Sequence, residues 1–156
     1  MKIKSLSIGV LVLSALSCTN NPEKSDVSIS STTAKFDLET ATKIVEQRSK
    51  EFEDALKIGD SIAVGDIYTI DSKIIGAYAG RDNLIKEVHE LVRDSITDIQ
   101  FKLINIWGNE NIIVEDAYVE FYHSNGTLVS KGNSLFVWKK ENDTWRIFRD
   151  VYKPEK

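Results

Sequence analysis

Two hydrophobic rhythms divide this chain. From Lys35 to about residue 92, apolar side chains recur every three or four positions, the period of an amphipathic helix. Asp37 is suited to cap a first helix, with Glu39 in the turn where the helix dipole favours an acid. Ala41, Ile44, Val45, Phe52, Ala55 and Leu56 form its apolar stripe, and Gly59 supplies the stop. Asp60 then predicts a short second helix carrying Ile62, Ala63, Val64, Ile67 and Tyr68. "DSKIIGAYAG" reads as a strand closing on Gly80, and Asp82 as the cap of a third helix bearing Leu84, Ile85, Val88, Leu91 and Val92.

The period then falls to two, as in a strand with one covered face. Ile99, Phe101, Leu103 and Trp107 share a face. "IIVEDAYVEFYH" places Ile113, Ala117, Val119 and Phe121 together, with Glu115 among them. Asn125-Gly126 predicts a type I′ hairpin turn, which needs positive φ at both central positions. "LVSKGNSLFVWKK", the turn "ENDT" and the strand "TWRIFRDVY" complete the set, and Pro154 closes the domain. Three helices followed by tightly linked strands predict an α+β fold, with the helices covering one face of a curved, mainly antiparallel sheet. Tyr118 and Tyr122, among Asp116 and Glu120, belong to the other face, which suits solvent or a dimer interface. On a regular last strand, Trp145, Ile147, Arg149 and Val151 face one way, and Arg146, Phe148, Asp150 and Tyr152 the other. Adjacent Arg149 and Asp150 therefore cannot form a catalytic pair.

The first 34 residues follow neither rhythm. Lys2 and Lys4 precede an apolar run from Ile8 to Leu16, too short for the roughly 20 residues a bilayer span needs. It suits a secretory signal, residues 1–18. The run ends in "ALSC", which resembles a bacterial lipobox with Cys18 as the lipidated residue, although Ala15 stands where the usual Leu would be. A plain signal cleaved nearby is the other reading. Residues 19–34, rich in Ser, Thr and Asn, suit a flexible tether. These features predict export and a lipid-anchored protein of the cell envelope, with the folded domain over residues 35–156.

Composition removes several classes. The 156 residues carry 20 Lys and Arg against 24 Asp and Glu, a net charge of −4, so nothing suggests nucleic-acid binding. One Cys excludes an internal disulfide framework and a cysteine-rich zinc site. His89 and His123 have no ligand spacing, and there is no phosphate loop or nucleophile elbow. No metal or cofactor is expected.

Four stretches carry a family resemblance: "ALKIGD", "IYTIDSKIIG", "AGRDNLIKEVHEL" and "LFVWKKENDTWRIFRD". In order and spacing, over about Lys35 to Tyr152, they resemble the nuclear transport factor 2-like (NTF2-like) superfamily, in its SnoaL-like and DUF4440-type bacterial branches. The resemblance implies a cone-shaped α+β fold, a pocket between helices and concave sheet, and frequent homodimers packed through the sheet. It does not imply one function, because members include isomerases, dehydratases, epoxide hydrolases and non-catalytic modules. Neither the steroid-isomerase set of carboxylate, Tyr and protonated Asp nor the Asp-Arg-Asp set of epoxide hydrolases falls on motif-matched positions here.

On the family pattern, the face with Phe148, Asp150 and Tyr152 would look into the pocket. A carboxylate beside aromatic rings is partly desolvated, so Asp150 is the candidate general base or acid; the alternative is an exposed acid at a strand end. Glu115 either lines the pocket or lies near the open strand end, since a buried charge needs a partner. Tyr68, Tyr78 and Trp138 are candidates for the cavity wall, or ordinary core. The expected function is binding of a small, partly apolar molecule. The alternatives are a cofactor-free isomerase, dehydratase or hydrolase using Asp150, and a dimeric interaction module.

Overall fold

The computed structural model describes residues 36–156, and residues Ala34–Lys156 form a single unit. The signal, Cys18 and the tether lie outside the described residues. The elements run α1 (Leu38–Lys57), α2 (Ser61–Asp66), β1 (Tyr68–Ile74), α3 (Arg81–Arg93), β2 (Ile96–Gly108), β3 (Ile112–His123), β4 (Leu128–Glu141) and β5 (Thr144–Pro154). The helices pack on one side of a five-stranded sheet of order β1-β5-β4-β3-β2. Only β1, paired with β5, is parallel to its neighbour. No helix among the described residues is long and apolar enough to cross a membrane.

The start of α1 follows its sequence signal. The Asp37 carboxylate accepts from the Glu39 and Thr40 amides, and the stripe buries Ala41, Val45, Phe52, Ala55 and Leu56. Gly59, at φ 74°, turns the chain out of the helix in a conformation that costs glycine little. Asp60 caps α2 through Ala63 N. This helix is shorter than expected: Ile67 and Tyr68 leave it, and β1 opens at Tyr68 rather than at Asp71. The β-forming run Tyr68-Thr69-Ile70 joins β5, where Ile147 N donates to Ile67 O at 2.8 Å. β1 also stops at Ile74, before Gly80. Asp82 does not cap α3. Gly80, at φ 86°, holds that position without a side-chain bond, and Asp82 sits in the first turn. α3 lies so close to α2 that a Cβ on Gly65 would fall 2.5 Å from Ile85 Cγ1.

Two bulges reset the sheet's alternation. In β2 the pairing with β3 slips between Leu103 and Asn105, so Ile106 takes the inner side and Trp107 turns outward, 47% exposed. Trp107 therefore does not share the face of Ile99 and Phe101. In β5, Trp138 pairs with Ile147 and Val137 with Arg149, leaving Phe148 as the extra residue. Trp145 and Ile147 therefore point inward together with Asp150, against strict alternation. The β3–β4 turn also differs from expectation. Gly126 has φ 84° but Asn125 is not in the left-handed region; its Oδ1 instead accepts from Thr127 N at 2.9 Å. The positive-φ pair closes the next hairpin, at Asn142 (52°) and Asp143 (60°).

The result is one rung of side chains across five strands: Ile106, Glu115, Phe136, Asp150 and Ile74 are successive partners. Glu115, Phe136 and Asp150 are all buried on it.

Candidate functional site

Asp150 enters the core because the Phe148 bulge turns it there. It is 7% exposed. Tyr68, from the first position of β1, donates its hydroxyl to Asp150 Oδ2 at 2.9 Å. Among the described residues, Asp150 Oδ1 has no hydrogen-bond partner. An unsatisfied buried carboxyl oxygen is costly if charged, and burial accordingly pushes the Asp150 carboxyl up to about 6, against the lowering effect of the Tyr68 hydroxyl. Burial, with the Asp150 charge beside it, drives the Tyr68 hydroxyl far above its ordinary range.

This pair stands on the wall of a cavity of about 330 Å³ between α3 and the sheet. α1 contributes Phe52, and α3 contributes Leu84, Glu87, Val88 and Leu91. The segment after β1 supplies Ala77 and Tyr78, and the strands supply Phe121, Val129, Ser130 and Tyr152. Ala77, Glu87 and Val129 are exposed, so the cavity opens between them. The Tyr152 hydroxyl is held to Ser130 Oγ at 2.6 Å. The Tyr78 hydroxyl is pushed upward by burial, then by the nearby charges of Glu87 and Asp150.

Of the residues singled out in the sequence, the cavity gathers Tyr68, Tyr78, Asp150 and Tyr152. It does not gather Phe148, Trp138 or Glu115. Phe148, displaced by the bulge, lies under the Arg149 guanidinium (3.5 Å to the ring centre) and the Lys139 ammonium (4.0 Å). Among the described residues Arg149 meets no acid; it donates to the Asp71 and Phe148 carbonyls. Trp138 is buried and donates Nε1 to Glu115 Oε2 at 2.8 Å. Glu115 lines a separate cavity of about 160 Å³, with Lys50, Glu53, Phe101 and Leu103. Burial raises its carboxyl to about 7, the Trp138 bond opposing and the Asp150 charge adding to the rise. Edge-to-face contacts link Tyr68 to Phe52, Phe52 to Phe101 and Phe101 to Phe136, a run of rings from the wall of one cavity to that of the other.

Sequence reasoning missed Glu87 and Arg81. Glu87 carried no signal beyond its place on the polar side of α3. Arg81 donates from Nε to the Tyr68 carbonyl at 2.9 Å and from Nη2 to Glu141 Oε2 at 2.6 Å. It thereby fixes the point where Tyr68 enters β1. His89 bonds Ser61 Oγ at 3.0 Å, which ties α3 to α2 outside the cavity. Among the described residues, no group of three His, Cys, Asp or Glu is placed to hold a metal.

This fold, a sheet with helices on one side, superposes on known solved structures. A protein of unknown function from Mycobacterium tuberculosis superposes with a TM-score of 0.65 at 11% identity, over 76% of this chain and 74% of that one. An NTF2-like protein of unknown function from Shewanella oneidensis MR-1 gives 0.62 at 18% identity, over 71% and 97%. The chain has the NTF2-like fold. A candidate dehydratase of the NTF2-like family from Streptomyces avermitilis gives 0.62 at 17% identity, over 77% and 99%. No protein-family model and no curated protein sequence matches the chain. At these identities the shared property is the NTF2-like fold itself, and the site must speak for its own chemistry.

Proposed function

We propose that this NTF2-like domain, in the SnoaL-like and DUF4440-type branch, binds a small, partly apolar molecule in the Asp150 cavity while tethered to the cell envelope through Cys18. One observation carries the reading: a mostly apolar cavity of about 330 Å³ holds a buried carboxyl with one oxygen unpartnered. Ligand sites combine apolar walls with a few placed polar groups, and this volume lies at their lower end. Mass spectrometry of small molecules released from natively purified protein tests it. A compound should accompany the wild type and be absent from Ala77→Trp, in which an indole at the exposed rim blocks entry. Equal recovery from both proteins counts against the cavity.

The Tyr68–Asp150 pair favours a second reading, proton transfer in a cofactor-free dehydratase, isomerase or hydrolase. A carboxyl titrating at about 6 can give or take a proton near neutral pH. Asp150→Asn should then abolish turnover of a bound compound and spare its binding; turnover that survives the change removes this reading. The outer sheet face, with exposed Ile104, Trp107, Ile112 and Leu135, supports a homodimer. Sedimentation should show two copies, and Trp107→Glu should give one.

A further inference from the structure

The cavity's charge is one-sided. Asp150 lies on its wall and Glu87 at its rim, and among the described residues no Lys, Arg or His lines it. Five aromatic rings do: Phe52, Tyr68, Tyr78, Phe121 and Tyr152. Two hydroxyl groups of the wall are already committed, Tyr68 to Asp150 and Tyr152 to Ser130. What remains unanswered is Asp150 Oδ1, a buried acceptor without a donor.

We infer that the ligand of this cavity is an organic cation, a small amine whose ammonium group pairs with Asp150 among the aromatic rings. The inference rests on the ligand-binding reading above and adds the chemical class. Each part of the wall suits such a ligand. An ammonium N–H supplies the donor that Oδ1 lacks, and charge-assisted bonds of this kind are the strong ones. Aromatic rings attract a cation through their quadrupole and bind its hydrocarbon part by burial. Glu87 adds attraction at the entrance. An anionic ligand would meet two carboxyls and no compensating cation. A neutral alcohol could donate to Oδ1 but would leave the charge unmatched.

Pairing also moves a proton. Near pH 5 the unliganded Asp150 carboxyl is largely protonated, because burial outweighs its Tyr68 bond. Tyr68 from β1, Tyr78 from the following segment, Glu87 from α3 and Tyr152 from β5 are the titratable groups around it. Glu115 stands beyond Phe136 on the same rung. Docking an ammonium must ionise Asp150 and release the proton to solvent.

Calorimetric titration of the folded protein with three matched probes tests this: 2-phenylethylamine, 2-phenylethanol and 3-phenylpropionate. The amine should bind about tenfold or more tightly than the alcohol, and the carboxylate most weakly. At pH 5, amine binding should release a proton, seen as a heat that depends on the buffer's ionisation enthalpy. Asp150→Asn should erase both the preference and the proton release. Glu87→Gln, at an exposed position that leaves the fold untouched, should weaken the amine about twofold. Equal binding of amine and alcohol, or tighter carboxylate, overturns the cation and leaves the pocket reading intact. If none of the three binds, the pocket reading falls, and the cation with it.

Discussion

Glu115 and Asp150 stand on one rung of the sheet, two strands apart, with Phe136 between them. Their backbones are about 10 Å apart at ordinary strand spacing. Each carboxyl keeps one hydrogen bond, from Trp138 and from Tyr68, and each is raised by burial, to about 7 and about 6. The same rung thus holds two protonatable groups that line different cavities.

The pair predicts an acid-tilted stability profile. For an acid whose folded-state pKa is raised, the folded protein keeps its proton where the unfolded chain has released it. The stabilisation is complete below the ordinary values of 3.8 and 4.5 and is lost as pH climbs through about 6 and about 7. Each tenfold change in proton affinity is worth about 1.4 kcal/mol, so each group costs the fold about 3 kcal/mol at pH 8. Urea midpoints should fall between pH 4.5 and pH 8. Glu115→Gln with Asp150→Asn should flatten that decline. A wild-type midpoint that stays level or rises over this range contradicts the buried, raised carboxyls.

Tyr68→Phe separates the two protonation states of Asp150. The hydroxyl lowers the carboxyl's pKa, so its loss should raise that pKa further. At pH 8 the change should cost about 1 to 3 kcal/mol, because an ionised buried carboxylate loses its donor. At pH 4.5, where Asp150 is protonated, the cost should be smaller. Denaturation of wild type and variant at both pH values measures the difference. Equal costs would mean that the hydroxyl does not sense the Asp150 charge.

The helices and the sheet were legible because burial imposes a period on each. Asp37, Asp60 and Gly59 punctuate the helical part as their chemistry requires. Alternation carried Glu115 to the inner face among Ile113, Ala117 and Val119. It failed at Trp107 and Phe148 for one reason: a bulge adds a residue without any compositional mark, and every side chain beyond it changes face. The inward turn of Asp150 came from the family resemblance, and the bulge is its physical cause. The Tyr68–Asp150 bond joins residues 82 positions apart, so no local pattern could announce it. The same holds for Arg81 at the Tyr68 carbonyl.

Membrane attachment is testable apart from the fold. If Cys18 carries a lipid, Cys18→Ala should shift the protein from the membrane fraction to the soluble fraction. Its thermal midpoint should not change, since the unit begins at Ala34. Persistence of the variant in membranes removes the lipid anchor.

Phe148 and Tyr152 give a paired test of the β5 bulge. Strict alternation puts both in the cavity; the bulge leaves Tyr152 there and places Phe148 under Arg149 and Lys139. Phe148→Ala should therefore leave probe binding within about twofold of wild type and cost about 1 kcal/mol of stability through lost ring contacts. Tyr152→Ala removes a cavity wall, together with its edge-to-face contact to Phe121 and its bond to Ser130. It should weaken any cavity ligand about tenfold or more, as truncating a buried aromatic contact does. Titrating 2-phenylethylamine into both variants, with urea denaturation alongside, distinguishes the arrangements. A binding loss in Phe148→Ala as large as that in Tyr152→Ala would mean that β5 runs in regular register, with the ring of Phe148 in the pocket.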